Sequence, residues 1–406
     1  MKKKVKQIMP IDDRVLSIID SSKREIFRDN CIRNLAYTEK EPMDISLIPR
    51  VIEKQKEILI EDVSKRITHA ALESVCDYLE GYEILNKTKF EDFLLNLPKP
   101  KSFFVGNGRY DFLEEDDNIK LIETNFVGVG TSGHPPKTTK TLLETFPKLN
   151  NHFYFKNPTD AMRSRMIENG VTNAILLTKN GDEDAYTDYL DRLIIQCSLK
   201  PVNVFIVPEK NYPDIKFFNG DFFYKNNKID CFYPRNMEFE ESMYNNKDFC
   251  FSLLNSNALF LDHFVTMLAE NKDLRFLIKK DSSLKDYIAR IFDKSELDDT
   301  QDFSDYVLKK KDVHSGKGVI IAPKNVSLDN AILQERIYTN QFPVDTIEGK
   351  KGNATYDTAV HFSYIFDLKS RNLTHFETSG YLTRFAFKDI VNLSQGGGII
   401  PTLLEK

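Results

Sequence analysis

Residues 102–130 read SFFVGNGRYDFLEEDDNIKLIETNFVGVG, two runs of period-two alternation around an acidic turn at residues 114–118, followed by a glycine-bearing loop. Prolines 98 and 100 set the stretch apart from what precedes it. With the turn centred on Asp117, antiparallel pairing places Asp111 opposite Glu123 and Arg109 opposite Asn125. Both pairs are spaced i, i+2, so the four side chains share one face while Tyr110, Phe112, Ile122 and Thr124 point to the other. Two carboxylates and an amide oxygen gathered this way are hard ligands, suited to Mg²⁺ or Mn²⁺ bound to phosphate oxygens. Arg109 beside them suits an anionic substrate or a charged transition state. The competing reading of the same spacing is a surface hairpin with ordinary cross-strand ion pairs.

Immediately downstream, Gly128-Val129-Gly130-Thr131-Ser132-Gly133 matches G-x-G-x-x-G, the pattern of a dinucleotide-binding turn. Such a turn opens a helix, and Pro135 and Pro136 are expected to disfavour one here. The preceding strand also ends in polar Glu123, Thr124 and Asn125. The expectation is therefore a flexible glycine loop beside the metal face, not a dinucleotide site.

Upstream, apolar positions at helical spacing between residues 45 and 95 predict an amphipathic helical layer within a region spanning 1–98. Downstream, strands at 173–180 and 201–208, a helix at 184–198 and further strands at 222–234 predict a small Rossmann-like α/β unit within 166–250. A second helical block follows at 251–293, then strands alternate with loops to the end. The fold class is α/β with α+β lobes.

The chain has 406 residues, a net charge of −5 and a pI near 5.9, with lysines dispersed along it. That balance argues against a binder of nucleic-acid backbones. Five scattered cysteines without a C-x-x-C pair argue against a disulfide framework or a cysteine zinc site. The basic N-terminus is followed by no apolar h-region, and no window approaches 18 apolar residues, so neither a signal peptide nor a membrane span is expected. The expected location is the cytoplasm.

A second constellation lies at 305–323, DYVLKKKDVHSGKGVIIAP: an apolar strand ending at Lys309, a loop holding Ser315, Gly316, Lys317 and Gly318, and a second strand. A strand-borne lysine can reach phosphates while a glycine hairpin closes over them; the alternative is a charged hairpin with an ordinary glycine turn. Ile332-Leu333-Gln334-Glu335-Arg336-Ile337 then reads as a strand of the kind that holds adenine and ribose, or as an edge strand. Arg384 and the loop at 391–398 add a strand-borne cation and a glycine run.

In this order the segments resemble the circularly permuted ATP-grasp ligases, in particular the synthetase domain of glutathionylspermidine synthetase and its stand-alone relatives. The resemblance rests on Arg109-Tyr110-Asp111-Phe112 followed by Glu123-Thr124-Asn125, placed ahead of the nucleotide lobe, and covers roughly residues 100–406. It implies ATP and two Mg²⁺ ions (Mn²⁺ as a substitute), with Asp111, Glu123 and Asn125 as metal ligands. Arg109 and Arg384 would face the reacting phosphoryl and acyl groups. Lys309, Ser315, Gly316, Lys317 and Gly318 would hold the phosphates, and Gln334, Glu335 and Ile337 the adenine. Residues 99–165 would be the metal-hairpin part of the ATP-grasp fold, 166–250 a pre-ATP-grasp-like unit and 251–406 the nucleotide lobes. The implied activity is amide-bond formation between a small-molecule carboxylate and an amine (an amino acid, a peptide, a polyamine or an amine on a carrier protein). Two departures stand out. The family's N-K or D-K lysine is replaced by Asn257-Ala258 or Asp262-His263, leaving Lys272 as a substitute, and the final loop lacks the arginine–glutamate pattern. The alternative is a degenerate ATP-grasp protein that binds nucleotide without turnover.

Overall fold

Hydrophobic alternation in the 103–125 hairpin finds its partners far along the chain. The computed structural model describes residues 6–34, 43–100, 102–179, 186–235, 239–297, 302–311, 318–324, 326–328, 330–391, 393 and 396–406. Its central sheet runs in the order Gly398–Ile400, Asn372–Ala386, Lys351–Asp367, Phe103–Glu115, Asn118–Asn125, antiparallel throughout, with Gln341–Asp345 also paired to Lys351–Asp367. The hairpin and the C-terminal strands thus build one sheet.

One face of that sheet is largely apolar. Tyr110 stacks on Phe362 with ring centres 4.3 Å apart, Phe126 meets Phe362 edge-on, and all three are buried. Against this face lies the helix Lys54–Leu79, whose Ile60, Val63, Ile67, Ala71 and Val75 recur at three- and four-residue steps and join the same core. The Thr68 and Tyr110 hydroxyls pair at 2.6 Å. Each large apolar side chain buried here contributes about 1.5–3 kcal/mol, enough in sum to hold the hairpin to distant strands.

A second layer is the parallel sheet Leu259–Phe260, Cys231–Pro234, Asn173–Thr178, Asn203–Pro208, flanked by helices Pro158–Glu168 and Tyr186–Ser198. It draws on residues on both sides of 166–250. The helical block expected at 251–293 is broken into the end of helix Lys247–Asn255, 3₁₀ turns at Phe264–Glu270 and Ser282–Asp286, and a short helix Arg275–Lys280. Local side-chain caps explain the breaks: His263 and Asp281 each accept a backbone N–H two residues on. A third, antiparallel sheet comprises Ile291–Phe292, Ala331–Glu335, Tyr306–Lys310 and Val319–Ile321. All five cysteines are free, and no described helix is long and apolar enough to cross a membrane.

Candidate active site

The hairpin pairs Asp111 with Glu123 and Arg109 with Asn125, the expected register, but by a different route. The turn is a two-residue one, Asp116-Asp117, with Asp116 at φ 53°. A straight ladder from it would pair Asp111 with Ile122 and send Glu123 to the apolar face. A bulge at Ile122, where the register shifts between Asp111 and Phe112, restores the polar row. The bulged Ile122 carbonyl accepts a 2.8 Å hydrogen bond from Lys309 Nζ. One irregularity thus aims Glu123 and docks the lysine of the third sheet beside it.

On this face two arginines and two aspartates alternate. Arg109 grips Asp111 in a fork, Nε to Oδ1 at 2.7 Å and Nη2 to Oδ2 at 3.0 Å. Arg384 Nη2 reaches Asp111 Oδ2 at 2.9 Å and forks onto Asp357, Nε to Oδ1 at 2.9 Å and Nη2 to Oδ2 at 2.5 Å. Strand register explains the meeting, since Asp357 lies opposite Arg384 and the intervening strand lies beside Asp111. Burial would raise the Asp111 carboxyl, but Arg109 and Arg384 outweigh it and hold the group well below the usual carboxylate range. Asp111, expected as a metal ligand, therefore has both oxygens occupied by guanidinium groups. Glu123 and Asn125 differ: among the described residues the Glu123 carboxylate forms no salt bridge, and the Asn125 amide nitrogen donates to the Arg109 carbonyl at 3.3 Å. Mg²⁺ commonly takes one or two carboxylates with phosphate and water completing its shell, so the Glu123–Asn125 oxygen pair fits such an ion. Among the described residues no cluster of three or more His, Cys, Asp or Glu is disposed to hold a metal by itself.

Carboxylates clamp the backbone of the glycine loop and of the strands that lead into it. Glu270 Oε1 accepts Phe126 N at 2.6 Å and Val127 N at 2.8 Å; Asp191 accepts Gly133 N at 2.7 Å and Thr131 N at 3.0 Å; Asp262 accepts Asn107 N at 2.6 Å. Asp191 is also paired with Arg235 at 3.0 Å. Burial, with Glu123 nearby, pushes Glu270 up to about 8. Contrary to expectation, a helix does follow, His134–Thr145, because Pro135 and Pro136 occupy its first turn, where a missing N–H costs nothing. The same prolines leave its N-terminus short of donors, and the loop's amides face carboxylates. A pyrophosphate would find little to bind there.

In the third sheet, burial and the neighbouring Lys272 lower Lys309 to about 8, against the pull of Glu123 and Asp111. Lys272 Nζ donates to the Lys310 and Lys311 carbonyls at 2.6 and 3.0 Å. Lys272 is thereby a charge neighbour of Lys309. Gln334 is buried with its amide nitrogen unpartnered, Glu335 accepts Arg290 N at 3.4 Å, and Ile337 is buried. The Gly318 carbonyl accepts Lys310 N–H at 3.0 Å, whereas Ser315, Gly316 and Lys317 lie outside the described residues, as do Asn392, Ser394 and Gln395 of the last loop. Asp357 escaped the sequence reading, although a lone charge in the run TYDTAV marks it. Glu270, Asp262 and Asp191 carry no motif.

No family model and no curated protein matches this chain. Among solved structures it is similar to a glutathione synthetase-like effector (GSS30) from Globodera pallida in apo form, at a TM-score of 0.69 and 13% identity over 98% of this chain and 99% of that one. A protein from Methylobacillus flagellatus KT named as a gamma-glutamylcysteine synthetase is similar over 82% of this chain and 86% of that one, at a TM-score of 0.34 and 9% identity, too distant to carry an argument. The chain is a mixed α/β protein that shares, over nearly its whole length, the fold of the glutathione synthetase-like effector.

Proposed function

We propose that this chain is an ATP-dependent carboxylate–amine ligase of circularly permuted ATP-grasp type, releasing ADP and phosphate. The observation that carries the reading is Lys309 seated on the Ile122 carbonyl, which brings two lysines, Lys309 and Lys272, to the edge of the Glu123–Asn125 row. The fold of a synthetase-like effector supports it.

In this reading the substrate carboxylate attacks the γ-phosphorus of ATP, breaking the bond to ADP, and the amine then displaces phosphate from the acyl phosphate. Glu123 and Asn125 would hold magnesium, which supplies charge neutralisation on the phosphates when bound. Arg109 and Arg384, oriented by Asp111 and Asp357, stabilise negative charge on the transferring group. Lys309 and Lys272 hold the phosphate chain, and Gln334, with Glu335 and Ile337, lines the adenine site through its free amide. The acid is a small molecule and the amine an amino acid, peptide, polyamine or carrier-borne group.

The test is ADP release from Mg-ATP in a mixed panel of acids and amines with mass detection of condensed product. A product mass of acid plus amine minus water is expected, and Glu123→Gln should abolish it without unfolding the chain. The second reading, nucleotide binding without turnover, is favoured by Asp111 being committed to two arginines. Mg-ATP binding by calorimetry with no ADP from any pair would select it.

A further inference from the structure

A small antiparallel sheet, Lys216–Phe218, Asp221–Tyr224 and Asn227–Ile229, is separate from the three sheets above, and it carries the most exposed large apolar side chain among the described residues. Phe217 is 46% and Phe218 67% exposed. Both lie directly before the turn Asn219-Gly220, whose two residues have φ of 51° and 83°, as tight hairpin turns require. The scaffold beneath them is fixed. Phe222, Tyr224 and Ile229 are buried, Phe222 meets Phe232 edge-on at 5.1 Å between ring centres, and the Gly220 carbonyl accepts Asn257 N at 2.9 Å. Little ordering is therefore left for a contact at this tip to impose.

Apolar and cationic groups are graded along the hairpin. Lys216 lies two residues behind Phe218, about 7 Å along the strand, and the register puts Lys216, Phe223 and Lys228 in one cross-strand row. Within 216–229 three lysines, Lys225 being the third, stand against one acid, Asp221, on a chain of net charge −5. Asp221 is paired with Lys228 at 2.8 Å and Asn257 at 3.3 Å. Lys216 donates to the Pro213 carbonyl at 2.8 Å and Lys225 lies 5.3 Å over the Tyr224 ring; among the described residues neither pairs with a carboxylate. Of the flanking acids, Asp230 accepts Thr172 N and Asn173 N at 3.0 Å each, and Asp214 lies two residues behind Lys216, farther along the chain from the tip.

An apolar tip backed by cations suits the interface of an anionic bilayer. There, rings sink about 5–10 Å to the boundary of headgroups and acyl chains, while lysine stems extend to the phosphates. The step of about 7 Å between Phe218 and the lysine row matches that depth. A surface for single-stranded nucleic acid instead sets its rings on one face, with cations alongside to follow the backbone. Phe217 and Phe218 are successive and so point to opposite faces, Phe217 toward Phe222 at 4.7 Å between ring centres.

We infer that the 216–229 hairpin docks on an anionic lipid surface, with Phe217 and Phe218 seated among the headgroups and Lys216 and Lys228 at the lipid phosphates. Lys225 sits behind them within reach of the surface potential. The contact is peripheral and does not depend on the ligase reading.

Co-sedimentation of the full chain with vesicles tests this. Binding to vesicles of phosphatidylcholine and phosphatidylserine in equal amounts should exceed binding to phosphatidylcholine alone by about tenfold, since each lysine near the surface adds to it. Phe217→Ser with Phe218→Ser should abolish binding while thermal unfolding stays cooperative, and Lys216→Glu with Lys225→Glu should erase the preference for anionic lipid. The chain contains no tryptophan, so Phe218→Trp supplies a single reporter. Its emission should shift to the blue on the anionic vesicles and be quenched by brominated acyl chains. Equal binding to both vesicles, binding that survives the serine pair, or emission unmoved by lipid would overturn the assignment. So would binding of poly(U) by the native chain without vesicle binding, which would give this face to single-stranded nucleic acid.

Discussion

The two faces of the central sheet each bury an arginine–carboxylate cluster, and they are finished differently. On the face under the Lys54–Leu79 helix, Glu114 is fully buried and receives Arg50, Lys56, the Tyr356 hydroxyl at 3.2 Å and the Thr358 hydroxyl at 3.0 Å. Arg50 also donates to Thr358 and Thr383 at 2.6 and 3.3 Å and lies 4.9 Å over the Tyr356 ring. On the opposite face, Asp111 and Asp357 share Arg109 and Arg384, but among the described residues Glu123 lacks a salt bridge and Asn107, Ser132 and His361 keep unpartnered atoms nearby. Asp111 and Glu114 are three residues apart in one strand. What separates the two clusters is therefore not residue type or burial but whether the polar valences close on themselves.

The sharpest way to break that contrast is to cut the closed cluster. Arg50→Met leaves Glu114 buried with one cation fewer, and about 3–5 kcal/mol of stability should be lost, read as a shift of the chemical-denaturation midpoint. Replacing both, Arg50→Met with Glu114→Leu, should recover most of it, because a buried pair is worth little more than apolar side chains of similar volume. A single-variant loss below about 1 kcal/mol would mean that the cluster is wetter than its burial indicates.

The open face should respond in activity. Arg384→Lys keeps a positive charge but cannot fork onto Asp357 while touching Asp111. We expect turnover, measured as ADP release with the accepted acid and amine, to fall about 10²–10³-fold, and stability to fall less than in Arg50→Met. Unchanged turnover would remove Arg384 from the reacting centre.

Sequence alone revealed the faces but not their closure. Alternation in RYDF and ETN is local and strong, so the Asp111–Glu123 and Arg109–Asn125 pairs could be read before any coordinates. The Ile122 bulge could not, because it reflects the join between a two-residue turn and a face fixed by Tyr110 and Thr124 packing into the core. Asp357 and Arg384 pair across their own two strands, and they reach Asp111 only through strand pairing with the hairpin, a contact across more than 200 residues. The helix at His134 was misjudged because proline breaks a helix interior yet suits a first turn, and nothing local says which applies. Glu270, Asp262 and Asp191 act on backbone amides of a loop remote in sequence, and such contacts leave no periodicity to find.

Glu270 offers a pH-dependent effect with a definite sign. Its folded pKa is raised to about 8 from an ordinary 4.5, so between those values the native chain holds a proton that the unfolded chain has released. This group's stabilisation is complete below about pH 4.5 and is lost as pH rises through 8, by up to about 1.4 kcal/mol per pH unit. Glu270→Gln retains an oxygen for Phe126 N and Val127 N but cannot ionise. Thermal unfolding across pH 5–9 should be flatter in the variant, which should be the more stable protein at pH 8–9. Parallel curves would mean that Glu270 titrates near its unfolded value and that the glycine-loop clamp is ionised.

Lys309 should give the smallest change, and in binding. Burial and Lys272 lower it to about 8 from 10.5, so a rise from pH 7 to 9 removes most of its charge, while the unfolded chain stays protonated. Above pH 8 the native state is thus favoured by linkage even as the phosphate site loses a cation. ATP affinity, measured by calorimetry without magnesium so that the ion cannot mask the lysine, should weaken by up to about tenfold over that range. Lys309→Arg stays charged throughout. Its affinity should therefore hardly vary with pH, whatever its absolute value, because the guanidinium can still reach the Ile122 carbonyl. If both proteins lose affinity in parallel, the pH-dependent group is elsewhere, and the lysine docked on the bulge serves the hairpin rather than the nucleotide.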